Sequence, residues 1–279
     1  MPEPATPPHL DPSALGTKEY WDKLYEKELS NHADNPADQG TVWFDDSDAE
    51  AKIVAFLGGH HGNDDGEDDD DDDDDEDEKK ALGSGSENLG LDRRSARVLD
   101  LGCGNGSLLF ALRDDGWRGE LLGVDYSARS VELARRVAVA RELEREVEFR
   151  VWDVLNGPLS DINDEKEESK NTAGWDLVLD KGTFDAVSLS DERDAHGRRI
   201  CEGYGERVLQ LLRQGGIFLV TSCNWTEAEL REWFESKTQA LESGARLRLA
   251  GRIQYPSFSF GGVKGQTIST LCFEKVGGR

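Results

Sequence analysis

Val98-Leu-Asp-Leu-Gly-Cys-Gly-Asn-Gly106 is the stretch on which the reading of this chain turns. A short apolar run ends on Asp100, and Gly102, Gly104 and Gly106 then alternate into a segment with helical spacing, 106–114. Glycine is needed where backbone takes positive φ or approaches a ligand closely. The following helix start offers free N–H groups and the positive end of a dipole. Taken alone, such a turn is also what a tight strand-to-helix connection needs. Two details sharpen it. Ser107 stands where a dinucleotide-binding Gly-x-Gly-x-x-Gly motif has its third glycine, which argues against a nicotinamide-dependent oxidoreductase. An acid before the glycines would repel a pyrophosphate and welcome a cationic amine.

Two further strand ends follow. Leu121-Leu-Gly-Val-Asp125-Tyr126-Ser127 places an acid where a carboxylate can accept both hydroxyls of a ribose. Asp125 can also cap the helix that starts near Ser127, and the glycine loop beside it favours the ribose role. Phe149-Arg-Val-Trp152-Asp153 offers Asp153 as acceptor for an adenine amino group and Trp152 as a cover for the ring, or else a solvated turn.

Around these lie apolar runs at 97–101, 120–125, 147–151, 175–180, 217–221, 247–254 and 266–274. Helical patterns fall at 106–114, 128–140, 203–213 and 227–240. Such alternation predicts an α/β fold, a doubly wound, mainly parallel seven-stranded sheet. The last two strands lack a helix between them and are expected to close the sheet as an antiparallel pair, joined by the loop 255–265. Thr17 is a plausible cap for an amphipathic helix over 16–29, and a second short helix carries Ala49, Ile53, Phe56 and Leu57 on one side. Residues 1–14 read as a disordered Pro-rich tail. Residues 15–279 read as one domain, interrupted by a disordered acidic insertion (58–96) and a short charged one (160–173).

Composition narrows the function classes. The chain carries 33 Lys and Arg against 58 Asp and Glu, a formal charge of -25, with fourteen acids between Asp64 and Glu78. That balance argues against a protein that grips nucleic acid through its phosphates, and suits a basic partner. No apolar run approaches the roughly 20 residues of a membrane span, and the start lacks signal-peptide features. Four scattered cysteines suggest neither a disulfide framework nor a zinc site, and a reducing cytosol. His60 and His61 beside the acid run suggest adventitious metal binding only, and Cys103 a small residue that fits its loop. A cytoplasmic monomer is expected.

In order, the three strand ends resemble the S-adenosylmethionine (SAM) site of class I, seven-stranded methyltransferases. Further segments narrow the resemblance: Leu15-Gly-Thr-Lys-Glu-Tyr-Trp-Asp-Lys-Leu-Tyr, Val42-Trp43-Phe44, Leu179-Asp-Lys-Gly-Thr-Phe-Asp-Ala-Val, Thr221-Ser-Cys-Asn-Trp-Thr and Phe258-Ser-Phe-Gly-Gly. Together they are similar to the Efm4-type lysine methyltransferases of translation elongation factor 1-alpha, over nearly the whole chain outside the two insertions. The resemblance implies a SAM-dependent protein-lysine N-methyltransferase with elongation factor 1-alpha as protein substrate. Other readings on the same fold are a methyltransferase for another protein or a small molecule, and a SAM-binding adaptor without chemistry.

The resemblance also distributes roles. Asp100, Gly102, Gly104, Gly106, Asp125, Tyr126, Trp152, Asp153 and Trp43 are expected to hold the cofactor. The turn Asp180-Lys181-Gly182-Thr183 and Phe184 occupy the place of an Asn/Asp-Pro-Pro-Tyr-like motif, with Asp180 accepting from the target amine and Phe184 flanking the lysine stem. The alternative reading of Asp180 is a cap for the next segment only. Lys181 is expected to turn outward towards an acid such as Asp185. Trp225 is a candidate wall of the lysine channel, or core. Trp21, Tyr25 and Trp43 are expected to pack over the pocket as core and lid together.

Overall fold

Strand β1 (Val98–Leu101) is buried along its whole length, as the central strand of a parallel sheet must be. It pairs in parallel with β2 (Leu121–Asp125) on one side and β4 (Trp175–Lys181) on the other. Outward from these lie β3 (Glu148–Val151) and β5 (Leu212–Ser222), again parallel. β9 (Ser269–Gly277) inserts antiparallel between β5 and β6 (Ala245–Ile253). The order β3-β2-β1-β4-β5-β9-β6 is the doubly wound sheet with the antiparallel closing pair that the strand spacing predicts. The connection before β9, expected as a loop, carries a two-stranded ladder of β7 (Phe258–Phe260) and β8 (Val263–Gly265). The structure is a computed structural model that describes residues 9–59, 89–163, 174–239, 244–256, 258–260, 263–265 and 267–278.

Successive strand residues face opposite layers. Val98, Leu177 and Leu179 pack with α1 (Lys18–Asp34), α2 (Ala49–Gly58), α3 (Ser107–Asp114) and α4 (Ala128–Ala140). Leu99, Leu101 and Val178 face α5 (Thr183–Ser188), α6 (Tyr204–Leu211) and a helical rod. That rod runs through α7 (Glu227–Arg231), a π turn (Glu232–Ser236) and α8 (Lys237–Gln239). Side chains start the helices: Thr17 accepts from the Tyr20 amide, Ser127 from that of Ser130, and Thr226 and Glu229 form a capping box.

Several expected boundaries shift where tertiary contacts take over. α1 continues past Leu29 to Asp34, because Glu28 Oε1 accepts from the Thr41 amide (3.0 Å) and His32 Nδ1 donates to the Asp38 carbonyl (2.7 Å). The acidic insertion is narrower than 58–96 in the part described, since Leu89, Leu91 and Ala96 are buried in the first layer. Likewise, Ile162 is buried and Asn163 accepts from the Trp175 indole (3.1 Å), so 160–163 belong to the packed chain. Of the Pro-rich tail, Leu10 accepts from Arg199 (3.3 Å) and the Ser13 amide donates to Leu189 (3.1 Å). The acid run, both adjacent histidines and residues 164–173 lie outside the described residues. No described helix is long and apolar enough to cross a membrane.

Candidate active site

Strand order reverses between β1 and β4, so a crevice opens beyond their carboxyl ends, where open α/β sheets take ligands. The glycine loop leaves β1 at this point. Gly102, Gly104 and Gly106 have φ of 65°, 56° and 84°, which side-chain-bearing residues rarely adopt. A Cβ at Gly102 would also collide with Thr183 Oγ1, and one at Gly106 with the Phe149 ring. Thr183 Oγ1 donates to the Leu101 carbonyl (2.6 Å), locking the loop to the turn after β4.

Asp125 ties the glycine loop to the start of α4, whose cap is Ser127. Its Oδ2 accepts from the Gly104 amide (3.3 Å) and Ser130 Oγ (2.8 Å), while Oδ1 accepts from the Ser127 amide (2.8 Å). Burial lifts its pKa to about 6 against those bonds. Tyr126 is half-buried beside it, with the Lys18 ammonium 5.6 Å from its ring centre. Asp100 is buried at the floor of the crevice, and burial pushes it up to about 8 although Lys181 pulls the other way.

The third strand end differs from expectation. Asp153 accepts from the Leu155 amide (2.8 Å), the Asn156 amide (3.3 Å) and Asn156 Nδ2 (3.1 Å), so its carboxylate closes its own turn. Trp152 does not cover the crevice. Its indole is buried in the second layer, donates to the Pro158 carbonyl (3.0 Å) and stacks under Arg207.

The turn after β4 is also corrected. Asp180 is fully buried and faces away from the crevice. Its oxygens accept from the Thr183 amide (2.8 Å), the Phe184 amide (3.1 and 3.0 Å) and the Tyr204 hydroxyl (2.6 Å), which is the capping alternative. Burial raises its pKa to about 7. Register explains the reversal: Leu101 pairs with Asp180 and Asp100 with Leu179, so Lys181 shares the face of Asp100. Lys181 accordingly turns inward. Its ammonium lies 3.3 Å from Glu50 Oε1 and donates to the Trp43 carbonyl (3.1 Å). Asp185, the outward partner expected for it, instead accepts from Ser222 Oγ and the Cys223 amide.

Phe184 does not flank a channel; it sits in an aromatic core with Tyr204, Trp225, Trp233 and Phe234. Trp225 belongs to the same core, its indole donating to Ser188 Oγ (3.3 Å). Gly182 has φ of 89°, and a Cβ there would press on the Phe44 ring.

The N-terminal segment roofs the crevice. Trp43 meets Trp21 edge to face at 5.3 Å, and its buried indole N–H has no partner among the described residues. Asn105 Nδ2 donates to the Gln39 carbonyl (2.8 Å), and Ser107 Oγ to Glu50 Oε1 (2.5 Å), tying that segment to the glycine loop. Between Tyr25, Trp43, Asp100, Gly104 and Lys181 remains a cavity of about 30 Å³. That volume suits one or two waters. A nucleoside-sized ligand therefore enters only as the roof shifts. Glu50, Asn105 and Tyr204 carry no local sequence signal, because their partners come from distant segments.

A family model described as "Methyltransferase domain" matches residues 92–262. The protein-lysine N-methyltransferase EFM4 of Saccharomyces cerevisiae is 38% identical over 268 residues, 95% of this chain and 96% of that one. The efm4 protein of Schizosaccharomyces pombe is 37% identical over 270 residues, 95% of each chain. EEF1A lysine methyltransferase 2 of Homo sapiens is 30% identical over 265 residues, 95% of this chain and 88% of that one. At this identity over nearly its whole length, the chain belongs to the family of EFM4 and EEF1A lysine methyltransferase 2, methyltransferases on a class I α/β sheet.

Proposed function

We propose that the protein is a SAM-dependent protein-lysine N-methyltransferase whose substrate is translation elongation factor 1-alpha. The observation that carries the chemistry is the meeting, in one crevice, of a glycine cradle, buried acids on β1 and β2, and a roof with an unpaired indole N–H. The substrate rests on the relatives, whose names give lysine methylation and, in the vertebrate proteins, the elongation factor.

The residues present fit the cofactor. The positive-φ glycines let backbone rather than side chains wall the crevice, and Asp125 at the end of β2 is the acceptor this reading gives to the ribose hydroxyls. Asp100 suits an amine, and Trp43 Nε1 awaits an acceptor. Bound there, SAM supplies an electrophilic methyl group on a cationic sulfur. The protein supplies position, since methyl transfer needs the amine in line with that methyl. A lysine ε-amine must arrive neutral, about three units below its usual pKa and hence at a cost of roughly 4 kcal/mol. Partial burial and a neighbouring cation both lower that cost. Asp180 acts on this geometry from outside the crevice. It fixes the start of α5, and Thr183 then holds the glycine loop at Leu101. The roof of Tyr25 and Trp43 limits the closed site to a cavity that holds no more than a water or two.

The same reading makes the enzyme a cytoplasmic monomer. It has one methyltransferase domain over 15–279 with the acidic segment as an insertion, and neither nucleic acid nor membrane as direct partner. Incubating the protein with methyl-labelled SAM and a cell lysate tests the reading. A labelled band of elongation factor 1-alpha, with the label on lysine, is the expected result. Label on a small molecule or on another residue type would overturn it.

A further inference from the structure

An acid and an ammonium stand side by side at the ends of two neighbouring strands. Leu101 pairs with Asp180, so Asp100 and Lys181 project from the same face of β1 and β4 into the same cavity. A carboxyl acceptor and an ammonium donor in that arrangement complement an α-amino acid, which carries an ammonium and a carboxylate on one carbon. Two donors wait on the cationic side. Lys181 has three N–H groups, and among the described residues its ammonium meets only Glu50 and the Trp43 carbonyl. The Trp43 indole N–H is buried and unpaired, although buried donors in folded proteins almost always find an acceptor. Both donors line the cavity above Gly102 and Gly104.

We infer that Lys181 and Trp43 Nε1 form the anchor for the carboxylate of an α-amino acid whose ammonium faces Asp100. Resting on the function proposed above, the inference assigns that amino acid as the methionine end of the cofactor. Lys181 is then a cofactor-binding residue rather than part of the lysine-accepting turn. Glu50 is the anion that holds Lys181 while the carboxylate is absent. Because Glu50 is also bonded to Ser107, exchanging one anion for the other loosens α2 from the glycine loop. Charge-assisted bonds of this type are the strong ones, so loss of either donor shows in affinity.

The test measures binding by isothermal titration, without turnover. S-adenosylhomocysteine keeps the amino-acid end, and 5′-methylthioadenosine keeps the nucleoside and loses that end. Lys181→Met is expected to weaken S-adenosylhomocysteine by about tenfold or more and to leave 5′-methylthioadenosine within about twofold. Trp43→Phe retains a ring against Trp21 and removes the N–H; about fivefold loss is expected for the first ligand only. Lys181→Arg keeps the charge and should restore most of the preference. If Lys181→Met does not fold, as thermal melting will show, Trp43→Phe decides alone. Equal losses for both ligands would make the pair a strut for the roof, and undiminished S-adenosylhomocysteine affinity would remove the anchor; either overturns the inference. A wild-type protein that binds neither ligand overturns the proposed function itself, and this assignment with it.

Discussion

Replacing Asp180 with Ala separates a buried cap from a catalytic carboxylate. The side chain is wholly inaccessible and accepts from the Thr183 and Phe184 amides and the Tyr204 hydroxyl. Removing it strands three donors in or near the core, at roughly 1–3 kcal/mol each. Part of that is returned because a buried carboxylate is itself costly, as its rise to about 7 shows. The net loss expected is about 4 kcal/mol, a large share of the roughly 5–15 kcal/mol that holds a folded domain. Tyr204→Phe removes one donor and leaves the two amides on the carboxylate, so about 1–2 kcal/mol is expected. The double variant should then lose less than the sum, since the two side chains share one bond. Urea unfolding followed by circular dichroism measures all three. An Asp180→Ala protein with an unchanged urea midpoint, normal cofactor affinity and abolished turnover would refute the reasoning and return Asp180 to the target amine.

Gly104→Val should abolish SAM binding while the sheet still forms, because the position has positive φ and lies under the roof; titration checks binding and far-ultraviolet dichroism the fold. Asp125→Asn should weaken SAM by about tenfold, through the lost ribose acceptor and a looser glycine loop. Burial holds Asp100 at about 8, against an ordinary value of 3.8, so the unfolded chain releases this proton first. Its contribution to stability is therefore complete below pH 4 and lost as pH rises to 8. Asp100→Asn should gain thermal stability relative to wild type between pH 5 and pH 8, and parallel melting profiles would contradict this. Deleting 64–78 should leave kcat at saturating substrate unchanged. Any fall in kcat/KM should appear at low salt and fade as screening shortens the reach of charge from about 10 Å at 0.1 M.

Much of the fold and the crevice was legible because the signals are local. An apolar run ending in an acid, alternating glycines and a helix start are all contained in Val98–Asp114, and Asp125 closes the next strand in the same way. The β4 turn differs from expectation by a single position. Side chains alternate across a strand, so moving from Asp180 to Lys181 crosses the sheet from the aromatic core to the crevice. No pattern within the turn says which of the two faces the crevice; that depends on its pairing with β1. Trp152, Phe184 and Trp225 flank strand ends, the one sequence feature that points them towards the site. The energy of burying their rings against α6 and the rod after β5 outweighs exposure at a cleft. Glu50 and Tyr204 reach their partners from distant segments, and their roles exist only in the folded chain.

The most direct measurement is mass spectrometry of purified elongation factor 1-alpha after incubation with this protein and SAM. The expected result is a mass gain in whole methyl increments, confined by fragmentation to a lysine side chain and absent from the Gly104→Val variant. Elongation factor that stays unmodified beside enzyme shown by titration to bind SAM would contradict the proposed activity.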